Sequence, residues 1–132
     1  MSVSIFPKNK LSKEQLKYIS DRISAPEHYD DKGPSKFWHY QSGLYVVMEI
    51  ASNIPIGIVE QSAPLDAVAP GWWIDSRFRG KGLGSRMVDC LADYLKMQGA
   101  TGVGDIRIQT HNGQYNDASE ALKKRFEAYF ED

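Results

Sequence analysis

Cysteine is almost missing from this chain of 132 residues, which has only Cys90. One thiol closes no disulfide within the chain and cannot supply a cysteine-rich metal site. Its position in a helical pattern suggests a buried structural thiol. Long apolar runs are missing too. Nothing approaches the ~20 apolar residues of a membrane span. The opening Met1-Ser2-Val3-Ser4-Ile5-Phe6-Pro7 lacks the apolar core of a signal peptide. No sign of charge dominates: 16 Lys and Arg stand against 17 Asp and Glu, a formal net charge of −1. There is thus no overall electrostatic case for nucleic acid. The three histidines, His28, His39 and His111, are scattered, and no His/Cys/Asp cluster has metal-ligand spacing. No Ser-His-Asp arrangement has supporting context. These absences describe a cytoplasmic protein by default, without metal, nucleic acid or membrane as partner.

What is present suits one folded domain spanning residues 1–132. Hydrophobic content of 42% and charged content of 25% are ordinary for a globular chain. At this length roughly two-thirds of the unfolded surface is buried on folding. Residues 3–6 read as a first strand closed by Pro7. Ser12-Lys13-Glu14-Gln15 is a capping box, followed by Leu16, Ile19 and Ile23 on one apolar helix face and by Pro26 as its end. Residues 27–33 are polar and mostly acidic, and Phe37-Trp38-His39-Tyr40 is an aromatic cluster. Residues 44–50 and 54–60 read as a hairpin turning at Ser52-Asn53, with Pro55 expected at the start or edge of its strand. A loop over 61–70 leads to a strand at 71–75. Residues 85–98 form a helical pattern striped by Val88, Leu91 and Leu95, with Met87 beside it and Gly99 as its stop. Residues 105–110 alternate like a strand. The last helix shows Ala121, Leu122, Phe126 and Tyr129 or Phe130 on one face. The pattern is an α/β sandwich with a mixed sheet.

The most informative stretch is Arg79-Gly80-Lys81-Gly82-Leu83-Gly84. It joins the strand Gly71-Trp72-Trp73-Ile74-Asp75 to the helix beginning near Ser85. The first N–H groups of a helix have no internal partner, and the helix dipole places partial positive charge there. Glycines let the backbone approach phosphates closely. Arg79, Lys81 and Arg86 add charge. The stretch is not a Walker loop, because G-x-x-x-x-G-K-S/T occurs nowhere. Nor is it a dinucleotide fingerprint, since the glycines run G-x-G-x-G and no second βαβ half follows.

R-x-x-G-x-G directly after a strand and before a helix resembles the acetyl-CoA loop of the GNAT family of N-acetyltransferases. The resemblance covers residues 71–99, including the five-residue step from Ile74 to Arg79. It implies a GNAT-like mixed sheet flanked by helices, and acetyl-CoA as co-substrate for acyl transfer to a primary amine of a small molecule or protein. It also implies that the strand of Trp72, Trp73 and Ile74 splays from the strand at 106–110 to admit the pantetheine arm. The N–H groups of Gly80, Lys81, Gly82, Leu83, Gly84 and Ser85 would then hold the diphosphate. Asn112 and Asn116 are the possible matches to the asparagine that the family places after the second splayed strand.

The attacking amine needs a base, and Glu60 is the first choice, with Asp66 and Glu49 behind it. The residues Val68-Ala69-Pro70-Gly71, where the family often carries its base, hold no titratable side chain. The family's tyrosine acid has no counterpart in register: seven positions beyond Asn112 and Asn116 stand Ser119 and Lys123, with Tyr115 and Tyr129 out of step. The family's usual two further strands have no counterpart before Asp132. A short form of the fold is therefore expected, with a homodimer as one way to complete the acceptor side. His111 can line the cofactor groove or be a loop residue without a role. Glu27, Asp30 and Asp31 can attract a cationic amine or merely be solvated. A CoA-binding sensor or interaction module without turnover is the alternative to the enzyme.

Overall fold

The computed structural model describes residues 2–28, 44–106 and 117–131. Four strands form one sheet in the order β1-β2-β3-β4, each antiparallel to its neighbour. They are β1 (Val3–Pro7), β2 (Leu44–Glu49), β3 (Ile54–Glu60) and β4 (Gly71–Ile74). Three helices cover the sheet: α1 (Lys13–Ile23), α2 (Leu83–Met97) and α3 (Asp117–Ala128). Among the described residues, no helix is long and apolar enough to cross a membrane.

Local chemistry sets most of these bounds. α1 begins on the capping box: Gln15 N–H donates to the Ser12 hydroxyl at 3.1 Å, and Ser12 N–H donates to Gln15 Oε1 at 2.9 Å. The β2–β3 hairpin turns on Asn53, whose φ of 58° suits an asparagine. Glu49 supports that turn by accepting the N–H and hydroxyl of Ser52 at 2.7 and 2.9 Å. Pro55 lies near the start of β3, opposite Met48, where the register shifts. A bulge there spares the ladder the hydrogen bond that proline cannot give. The bulge also changes the alternation. Ile54 and Ile56 join Val59 on the α2 face, whereas Ile58 faces α1.

Ile19 and Ile23 of α1 pack on Leu44 and Ile58, with Trp73 beside them. Burying each such aliphatic side chain stabilises the fold by about 1.5–3 kcal/mol. On the opposite face Met87, Val88, Leu91 and Leu95 of α2 meet Val47, Val59 and Phe126 of α3. α2 stops in a Schellman arrangement: Gly99 has φ 100°, its N–H reaches Lys96 O at 3.0 Å, and Ala100 N–H reaches Leu95 O at 2.9 Å. Tyr129 and Phe130 pack on the core from just beyond α3. Cys90 is only half-buried, less enclosed than its place in the helix suggests, although burial does push its thiol pKa up.

β4 is pressed against β3 at Gly57. A Cβ there would come within 2.6 Å of the Trp73 carbonyl oxygen, a distance that no repacking of side chains relieves. Gly57→Ala is therefore expected to cost about 1–3 kcal/mol by overpacking. Urea unfolding of the variant beside the parent measures it, and an unchanged midpoint would mean that β4 yields freely.

Candidate active site

β4 ends the sheet, so one of its edges has no strand partner among the described residues. Asp75 N–H donates to Ile56 O at 2.9 Å. Antiparallel bonding alternates along a strand, so the N–H and C=O of Trp73 and Gly71 also face β3. Those of Trp72 and Ile74 face the open edge. Arg79 bears this out, its Nε donating to Ile74 O at 2.8 Å. The outward donors of β4 are thus the N–H groups of Trp72 and Ile74. The tryptophan side chains divide as well: Trp72 lies toward Phe126, with ring centroids 6.5 Å apart, and Trp73 packs on the α1 side.

Upstream of β4 the chain is joined to the segment that follows α2. Val68 and Val103 form a parallel bridge, with Val68 N–H to Gly102 O at 3.0 Å and Gly104 N–H to Val68 O at 2.8 Å. This parallel bridge is isolated, outside the four antiparallel strands. The close approach needs glycine, because a Cβ at Gly102 or Gly104 would sit 2.6 Å from the carbonyl oxygen of Asp66 or Ala67. Beyond Ile106 the expected second splayed strand lies outside the described residues.

At its far end β4 enters a 3-10 turn, Ser76–Phe78, and then the glycine loop. Gly80 and Gly82 have φ 76° and 74°, left-handed values that favour glycine. α2 starts at Leu83, two residues earlier than the sequence pattern suggests, because Leu83 is itself buried in the core. Gly84 therefore lies within the helix. A Cβ on it would meet Leu122 Cδ1 of α3 at 3.1 Å, so this third glycine serves helix packing, while Gly80 and Gly82 shape the loop. Among the described residues, no hydrogen bond uses an N–H of residues 80–85 as donor. Six successive amides at the mouth of a 15-residue helix thus have open donor capacity, reinforced by the helix dipole. Residues 79–82 are exposed, and the Lys81 ammonium lies over the Phe78 ring, 5.8 Å from its centroid.

The base of this loop is a buried ionic network that sequence reasoning missed. Asp75 is fully buried. Its carboxylate accepts Arg22 Nε at 2.8 Å and Nη2 at 2.9 Å, and Arg77 N–H and Nη2 at 3.1 Å each. Burial opposes ionisation, but these donors overcome it and hold the carboxyl well below the usual carboxylate range. Arg77 also hydrogen-bonds the Tyr18 hydroxyl. Glu27 accepts the Ser76 hydroxyl at 2.5 Å and Arg22 Nη2 at 2.9 Å, so it is committed within the fold. The one available signal was the Asp-Ser-Arg string after the strand, a short polar cap that accepts the N–H two residues on.

Glu60 ends β3 opposite Gly71, the first residue of β4, and accepts the Ser62 hydroxyl at 2.6 Å. It shares the alternation of Ile58, which puts it on the α1 face near the start of β4. Glu49 ends β2 opposite Ile54, at the far end of β3 from Glu60, and is engaged in the hairpin turn, and Asp66 is exposed in the loop before β4. Asn112, Asn116, His111 and Tyr115 lie outside the described residues, as do Asp30, Asp31 and the aromatic cluster at 37–40. Tyr129 is tied to Asp89. Among the described residues, no group of three or more His, Cys, Asp or Glu could hold a metal ion.

Residues 14–125 match the model of the acetyltransferase (GNAT) family. Several solved structures share the fold. An acetyltransferase (GNAT family) from Bacillus anthracis superposes with a TM-score of 0.70 at 16% identity, over 96% of this chain and 79% of that one. AAC(6')-Ib in complex with acetyl-CoA gives 0.63 at 15% identity, over 96% and 82%. The ribosomal-protein-S18-alanine N-acetyltransferase from Escherichia coli gives 0.60 at 15%, over 92% and 74%. At such identities the likeness is one of fold. No curated protein shows significant sequence similarity to the chain.

Proposed function

The chain belongs to the acetyltransferase (GNAT) family, and from that premise we propose that it is an acetyl-CoA-dependent N-acetyltransferase acting on a primary amine of a small molecule or a protein. The observation that carries this reading is the run of N–H groups over residues 80–85 with no hydrogen-bond partner among the described residues, directly after a strand whose outward donors have no strand partner among them.

Acetyl-CoA supplies an acyl group activated as a thioester. The amides of Gly80, Lys81, Gly82, Leu83, Gly84 and Ser85 would hold its diphosphate, and the charges of Arg79, Lys81 and Arg86 would add attraction. Along β4 the outward N–H groups of Trp72 and Ile74 are the donors for the pantetheine arm and the thioester oxygen. A donor aimed at the developing oxyanion is worth ~3 kcal/mol where one has been removed. Ile74 O is taken by Arg79, which leaves Trp72 O as the outward acceptor on this stretch. Trp73 contributes through its ring on the opposite face, since its backbone is spent on β3.

Glu60 would take the proton from the attacking amine, directly or through water. The Ser62 hydroxyl orients its carboxylate from one side. The family resemblance assigns Asn112 or Asn116 to the departing thiolate. Positioning supplies much of the remaining rate, because an oriented amine and thioester react readily.

Calorimetric titration with acetyl-CoA tests the binding half of this reading. Saturable binding is expected, and ligand at about a hundred times its dissociation constant should stabilise the fold by ~2.7 kcal/mol. Release of free thiol with a panel of amines tests the chemistry. Failure to bind would remove the proposal. Binding without thiol release for any amine would instead describe a sensor or interaction module that holds CoA without turnover.

A further inference from the structure

His28 stands between α1 and the head of the glycine loop. Its side chain has no exposed surface. Nδ1 lies 2.6 Å from Arg22 O, the carbonyl of the last turn of α1. Nε2 lies 3.0 Å from Ser76 N, the first residue of the turn that leads to Arg79 and Gly80. A carbonyl only accepts, so Nδ1 carries a proton. A backbone N–H only donates, so Nε2 presents a lone pair. The two partners together select one neutral tautomer. An imidazolium would set an N–H against the Ser76 N–H, and that bond could not form.

We propose that His28 is a positioning residue for the diphosphate loop: its neutral ring pins Ser76 to α1 and so aims the N–H groups of residues 80–85, and protonation of the ring releases them. The inference rests on the acetyltransferase reading only in taking that loop as the site for CoA.

The surroundings favour the neutral form. Burial pushes the imidazole pKa below its ordinary 6.5, and the nearby charge of Arg79 acts in the same direction. Asp75, with Oδ1 3.7 Å from Nε2, and Glu27 from the same turn pull the other way. Both carboxylates are already answered. Arg22 from α1 and Arg77 from the loop are bonded to Asp75, and Arg22 is also bonded to Glu27. The hydrogen bond to Arg22 O also favours the proton, but burial outweighs these pulls and the net shift is downward. From β4 the Trp73 ring meets the imidazole edge-on, with centroids 4.9 Å apart, and adds no charge. Because the clamped state binds the proton more weakly than the released one, the clamp is intact above the ordinary histidine range. It weakens below that range and is lost as pH falls through the lower folded pKa.

The test is the pH dependence of acetyl-CoA affinity, read by calorimetry on the full chain and on His28→Gln. Glutamine can place an amide oxygen near the position of Nε2, so it can accept the Ser76 N–H and cannot titrate. The parent should lose up to about tenfold in affinity for each pH unit below the folded pKa of His28. His28→Gln should bind like the parent at mildly alkaline pH and show a flatter profile. Acetyl-dephospho-CoA serves as the control ligand, since the 3′-phosphate of CoA titrates near pH ~6 like other phosphomonoesters. Identical profiles for parent and variant would overturn the proposal. If the parent binds no acetyl-CoA at any pH, the functional reading fails by itself. The clamp is then decided by the NMR resonance of the Ser76 amide, which should follow His28 titration in the parent and not in His28→Gln. A Ser76 amide that ignores the titration overturns the clamp.

Discussion

Asp75→Asn is expected to destabilise the protein by about 3–5 kcal/mol, the usual consequence of removing one partner from a buried ion pair. The carboxylate is fully enclosed and receives four hydrogen bonds from Arg22 and Arg77. An asparagine in its place keeps one oxygen and loses the charge. The Arg22 guanidinium, whose side chain is only 19% exposed, is then left with the exposed Glu27 as its remaining carboxylate. Desolvating two charges is expensive, so the pair's net contribution is smaller than the cost of breaking it. Arg22→Met combined with Asp75→Asn should therefore be less damaging than the two single changes added together. The acid sensitivity follows the same carboxyl. Its folded pKa is depressed below 3.8, so the stabilisation is complete above that value and is lost as pH falls toward the folded one. Urea unfolding at neutral pH measures the first effect. A change of under about 1 kcal/mol, the scale of an exposed pair, would show that the site is effectively solvated.

Gly82→Glu is expected to weaken acetyl-CoA binding by about a hundredfold or more, close to 2.7 kcal/mol at 1.36 kcal/mol per factor of ten. Two effects act together. The substitution places a carboxylate beside the diphosphate, and it puts a side chain on a residue with φ 74°. The fold should survive, since a Cβ at Gly82 meets nothing within 4 Å. The left-handed backbone alone costs roughly 1–2 kcal/mol for a residue with a Cβ. Gly82→Ala separates the two effects: it carries the strain without the charge and should bind better than the glutamate variant. Calorimetry gives the affinities, and thermal unfolding confirms that each variant is folded. Undiminished affinity in Gly82→Glu would place the diphosphate elsewhere.

Arg79 to Gly84 stood out in the sequence because phosphate binding at a helix mouth depends on local backbone chemistry, which a short string can express. The capping box at Ser12 and Gln15, the hairpin at Ser52-Asn53 and the stop at Gly99 were legible for the same reason. Each involves groups within a few positions of one another. The string also suggested that all three glycines serve the ligand. Only the approach of Leu122, far along the chain, shows that Gly84 is small for the sake of α3. The early start of α2 at Leu83 has a similar origin, in burial against the core.

The sequence by itself determined most of the described elements, their apolar faces and the loop that resembles the family's, since these follow from periodicity and local hydrogen bonding. Tertiary structure decided which donors of β4 face outward, because that depends on the register with β3. It also decided that Asp75, Arg22 and His28 form one buried unit beneath the loop. Arg22 and Asp75 are 53 positions apart and His28 and Ser76 are 48 apart. No local pattern encodes such meetings, because burial and pairing of charge arise only when α1 is laid against the sheet.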